Sequence, residues 1–88
     1  MKPYYSDYAA HIIRKHLKDP QKAVGDALMK FSKEEREMIL FVYKASQITQ
    51  EGVRLACKVY HIPSEGRMWK TIKMLELEVA RNLEILDD

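Results

Sequence analysis

Apolar residues recur three and four apart along nearly the whole chain, and no stretch reads as a convincing strand. That period belongs to the α-helix; strand side chains alternate from face to face. The expectation is therefore an all-α domain, and the polar interruptions divide it into five helices. Ala9, Ile12, Ile13, His16 and Leu17 mark a first helix from Tyr5 to about Lys18, with Ser6 or Asp7 available as its N-cap. Asp19-Pro20 ends it and can also start the second, because proline suits a first helical position and aspartate accepts bonds from the free amides that follow. Ala23, Val24, Ala27, Leu28 and Phe31 give the second helix its inward face, which Gly25 weakens.

Ser32-Lys33-Glu34-Glu35 has the form of a capping box, so a third helix is expected from about Lys33 to Ala45. Its run from Met38 to Tyr43 is apolar nearly all round, which points to the central helix of the domain. Thr49 can cap a fourth helix with Val53, Ala56, Cys57 and Tyr60 inward. His61-Ile62-Pro63-Ser64 interrupts the pattern. Ser64 then caps a long fifth helix in which Met68, Trp69, Ile72, Leu75, Val79, Leu83 and Leu86 repeat on one side, with the Trp69 indole in the core against Ile62 and the third helix. Met74, Leu77 and Ile85 form a second apolar strip, a candidate homodimer seam or partner dock, with Glu76, Glu78, Glu84, Asp87 and Asp88 beside it. Tyr4, Tyr5 and Tyr8 are expected to cap the small core.

Eighty-eight residues suit a single domain over 1–88, and 47% hydrophobic with 32% charged residues is too apolar for a disordered chain and too charged for a membrane one. The longest apolar run falls far short of the about 20 residues that span a bilayer, and MKPYYSDY lacks a signal-peptide core, so the cytoplasm is the expected location. Cys57 is the lone cysteine and reads as a small buried hydrophobe. His11 and His16 are five apart, away from the one-turn spacing of a zinc pair, and no metal site or cofactor is expected. No phosphate-binding glycine loop, nucleophile setting or carboxylate pair appears, which argues against an enzyme.

Charge is distributed unevenly. Residues 1–52 carry nine basic and seven acidic groups, residues 53–74 five and one, and residues 75–88 one and five. The positive segment contains the parts of a helix-turn-helix, at about residues 49–75. Thr49 to Tyr60 is its short helix, Ile62 the apolar plug, and Ser64 the cap of a second helix with Arg67, Lys70, Thr71 and Lys73 on its first turns. Arg54 and Lys58 stand one turn apart, spaced to meet phosphates. Duplex DNA is the expected partner, with Ser64 and the exposed amides at the helix start adding to the anion site. Against the usual spacing, the apolar pair Met68-Trp69 comes one residue late after Ile62, as though the turn held an extra residue.

Tyr4-Tyr5-Ser6-Asp7-Tyr8 followed by His11-Ile12-Ile13-Arg14, then Phe31 to Glu37 running into Ile39 and Val42-Tyr43, and finally Met68-Trp69 leading to Ala80-Arg81, resemble a group of small proteins of phages and prophages in low-GC Gram-positive bacteria. From Phe31 onward the chain is also similar to the fourth region of sigma factors and to phage late-gene transcriptional activators, where a Ser-x-Glu-Glu-Arg start precedes a core helix and a helix-turn-helix. The resemblance implies a promoter-directed DNA-binding protein, with RNA polymerase or another protein as a further partner. Pro63, where those proteins often have serine, and the length of the last helix depart from their pattern. A rival reading is a protein-binding inhibitor of a host enzyme such as a nuclease, in the manner of anti-CRISPR proteins, acting through the same basic helical face or through the strip of Met74, Leu77 and Ile85.

Overall fold

The computed structural model describes residues 5–85 and consists of five α-helices: α1 Tyr5–His16, α2 Lys22–Leu28, α3 Lys33–Ala45, α4 Thr49–Val59 and α5 Glu65–Asn82. Number, order and class agree with the helical spacing; Tyr4, Leu86, Asp87 and Asp88 lie outside the described residues. The capping box of α3 forms in full. Ser32 Oγ accepts from the Glu35 amide at 3.1 Å, and a Glu35 carboxylate oxygen accepts from the Ser32 amide at 2.9 Å.

Other helix starts differ from expectation. α2 begins two residues after Pro20, and its N-cap position is Gln21, so Asp19 does not cap it. The Gln21 amide instead donates to His16 Nδ1 at 2.9 Å, and the Gln21 side chain donates to the Asp19 carbonyl at 2.7 Å. A side chain from the preceding helix has taken the capping role, which no local pattern specifies. At α4 the N-cap position is Ile48, and Thr49 is already helical. Ser46 Oγ accepts from the Ile48 amide at 3.0 Å, while the Thr49 hydroxyl accepts from Arg14 Nη2 at 3.0 Å. Arg14 also donates to the Ser46 carbonyl at 3.3 Å and lies 5.0 Å over the Tyr43 ring, tying α1 to the α3–α4 link.

Both α4 and α5 close in the same way. His61 (φ 56°) and Glu84 (φ 58°) adopt the left-handed conformation, and the amide after each reaches back across the last turn: Ile62 to the Cys57 carbonyl at 2.9 Å, Ile85 to the Ala80 carbonyl at 3.1 Å. These are Schellman closures made without glycine, and the one at α4 carries Ile62 onto the core. Ile85 is half-buried and lies beyond the helix end, so it does not extend the outward strip of α5.

The core joins Ile12 and Ile13 of α1, Val24 and Ala27 of α2, Ile39 and Val42 of α3, Val53 and Ala56 of α4, and Met68, Ile72, Leu75 and Val79 of α5. The central helix is α5, which packs against α1, α2 and α4; α3 packs chiefly on α4. Expectation had given that place to α3, but Met38, Leu40 and Phe41 are only half-buried, and the Phe41 ring is covered edge-on by Tyr60, centroids 5.7 Å apart. The continuous apolar run therefore includes half-buried positions at the rim of the core, one of them shielded by an aromatic side chain. α3 and α4 meet so closely at Gly52 that a Cβ there would lie 2.1 Å from the Val42 carbonyl oxygen. Tyr8 is half-exposed beside His11 and does not cap the core.

Candidate nucleic-acid interface

The link between α4 and α5, residues 60–64, is held by the Schellman closure at His61 and by Ile62, which packs against the core. Pro63 is the exposed corner. Two shallow grooves flank it, and both have Ile62 and Pro63 as part of their lining. One is bordered by Arg54, Lys58, Cys57 and Glu65, the other by Arg67, Thr71 and His61 together with Glu35, Met38 and Met68. The candidate contacts Arg54 and Lys58 thus stand on one side of the corner, and Arg67 and Thr71 on the other. Lys70 is exposed one turn further along α5.

The extra turn residue is resolved by which side chain faces inward. Met68 is buried and Arg67 exposed, so the core position of the second helix falls six residues after Ile62, and the basic side chains of α5 keep to its outer face. Trp69 is half-buried against the core, and the indole face carries the Lys73 ammonium at 5.6 Å. Ser64 occupies the N-cap position of α5, but its side chain makes no capping bond. The start of α5 therefore keeps amides that its own cap does not use.

Lys73 stands apart from the other candidates. Its ammonium donates to Ser6 Oγ at 3.0 Å and lies 3.6 Å from a Glu76 carboxylate oxygen. Glu76 was expected on the surface with the other acids of the tail, yet it is 3% exposed. It accepts from the Tyr43 hydroxyl at 2.9 Å and from the Ser6 hydroxyl. A buried carboxylate persists when its oxygens are bonded and a cation stands nearby, and here α1, α3 and α5 each supply part of that set. Burial, together with the neighbouring Glu76 charge and its hydrogen bond, pushes the Tyr43 hydroxyl far above its ordinary range, so the phenol remains a donor.

Within the surface itself one acid intervenes. Glu65 Oε1 lies 3.9 Å from Arg54 Nε, both side chains being half-exposed, so the pair is weak and open to exchange for a stronger anion. Burial, helped by the Glu65 charge, raises the Cys57 thiol above its ordinary value, and the half-buried side chain is in the protonated form at neutral pH. Of the second strip, Met74 is exposed, Leu77 is half-buried, and Ile85 is half-buried beyond the end of α5. Comparison with known protein families, curated proteins and solved structures gives no match. Among the described residues no helix is long and apolar enough to cross a membrane.

Proposed function

We propose that this protein is a helix-turn-helix DNA-binding regulator of transcription, with α4 as the supporting helix and the first turns of α5 as the reading helix. The observation that carries the proposal is the Pro63 corner, where two grooves with a common lining hold Arg54 and Lys58 on one flank and Arg67 and Thr71 on the other. Cations on both sides of a protruding helix start match a groove bordered by two phosphate strands. Arg67 and Lys70 are assigned to the groove or its phosphates, and Arg54 and Lys58 to phosphates. Lys73 drops out of the contact set because Ser6 and Glu76 already hold it. Ser64 contributes through its position at the helix start. A protein-binding inhibitor acting through α5 has less in its favour, since Met74 alone of its three strip residues is exposed.

The test is fluorescence anisotropy on a random duplex at several salt concentrations. Each phosphate contact contributes about 0.9 to the slope of log affinity against log salt. Arg67→Ala with Lys70→Ala is expected to weaken binding and flatten that slope by about two contacts, whereas Lys73→Ala leaves it unchanged. No binding at low salt, or a slope untouched by the double substitution, would overturn the assignment.

A further inference from the structure

α4 has a second exposed face whose apolar stripe the DNA reading does not use. Ile48, Leu55 and Val59 are spaced by seven and four residues, which aligns them along one side of the helix, and they are 57%, 41% and 55% exposed. The stripe lies beside Gly52, where α3 presses against α4, so one of its flanks is occupied by α3. On the other flank the helical period places Glu51 and Lys58, also seven apart and both exposed. Glu51 accepts from the Ser46 hydroxyl at 3.1 Å, which steadies the carboxylate on that side.

We infer that this face is the seat of a second copy of the same chain, joined by antiparallel packing of α4 on α4 about a two-fold axis near Leu55. The charge order selects that occupant. In an antiparallel pair of helices related by a two-fold axis, the same flank of each helix faces its counterpart with the direction reversed. Glu51 of one chain then stands opposite Lys58 of the other, and the contact occurs twice by symmetry. A parallel arrangement would set this flank of one chain against the α3 side of the other, and the Glu51–Lys58 pairing would not arise. The apolar stripe supplies the desolvated centre, with Leu55 against its own copy and Ile48 of each chain near Val59 of the other. Three apolar residues a side make a small interface, so a reversible dimer at the weak end of specific association is expected. The dimer does not need DNA, and Lys58, exposed at the border between this face and the Pro63 groove, is the one residue the two readings share. The inference adds to the DNA-binding reading the two-fold symmetry that paired half-sites demand, but stands or falls without it.

Sedimentation of the full chain without DNA tests it directly. Wild type is expected to shift from monomer to dimer as concentration rises, and Leu55→Glu to remain monomeric with an unchanged helical circular dichroism spectrum. Glu51→Lys and Lys58→Glu should each weaken dimerisation by at least several-fold, because each places like charges opposite one another, and combining the two should restore it. A wild type that stays monomeric at every attainable concentration, a Leu55→Glu protein that still dimerises, or a double exchange no better than either single one would overturn the proposal. Because no DNA is present, none of these outcomes bears on the duplex-binding assay, and the two readings fail separately.

Discussion

Replacing Gly52 by alanine pits two effects of opposite sign against each other. In an ordinary helix interior the change stabilises by about 1 kcal/mol, since alanine has the higher helix propensity. In this helix the new Cβ would fall 2.1 Å from the Val42 carbonyl oxygen and 2.9 Å from its carbon, with the Val42 side chain at 3.0 Å. The obstacle is backbone, which cannot rotate out of the way, so α3 and α4 must separate by roughly 1 Å in an interior packed as tightly as an organic crystal. That movement loosens Ile39, Val42, Val53 and Ala56 together. Overpacking of this kind costs about 3 kcal/mol or more, leaving a net loss of about 2 kcal/mol after the propensity gain. For a domain of this size the melting temperature should fall by about 10 °C. Gly25 and Gly66 provide internal controls, because their added Cβ atoms meet nothing closer than His16 Cε1 at 4.0 Å and Ser64 Oγ at 3.4 Å. Alanine at either should hold or raise stability. Thermal and urea unfolding followed by circular dichroism measure all three, and a Gly52→Ala protein as stable as wild type would refute the close crossing of α3 and α4.

Two further predictions concern protonation. Because Tyr43 has its folded pKa raised above the unfolded value of about 10, its contribution to stability is full below that pH and is lost as pH rises further. Tyrosinate absorbance of the folded protein should show a hydroxyl that stays protonated well above the ordinary tyrosine range until the chain unfolds, and Tyr43→Phe should remove that late step; the absence of any such step would contradict it. Glu78 is held below the usual carboxylate range, first by its hydrogen bond from Lys30 at 2.7 Å and further by the Lys30 and Arg81 charges. A depressed carboxylate stabilises above its unfolded pKa of about 4.3 and ceases to as pH falls through the folded one. Lys30→Ala should therefore lower the melting temperature slightly at neutral pH, with the gap to wild type closing in acid; a gap that persists at low pH would count against the pairing.

The helices were legible because their signals are local. Ser32 and Glu35 identify each other across three residues, and the spacing of Val53 and Ala56, or of Met68, Ile72, Leu75 and Val79, needs no knowledge of what lies opposite. The apolar plug at Ile62 was also readable, and so was the late inward position at Met68. What escaped were residues whose surroundings come from elsewhere in the chain. Glu76 has the sequence context of a surface acid, and only Ser6 and Tyr43 make its burial tolerable. His16 and Arg14 anchor turns in which neither resides. The run from Met38 to Tyr43 suggested a helix enclosed on all sides because periodicity counts apolar faces without saying what covers them. Gly52 could have been noticed as the one glycine inside α4, where its cost in propensity called for a reason.

The bond from Ser6 to Glu76 joins positions seventy apart, near opposite ends of the sequence. If α1 frayed while the other helices stayed in place, a carboxylate would be left in an oily setting with one donor gone, and the Lys73 ammonium beside it would lose its bond to Ser6. Partial opening at the start of the chain is thereby penalised out of proportion to the few apolar contacts it breaks. The domain can then melt as a single all-or-none unit, its first and last helices tied by this polar bond in addition to their apolar packing.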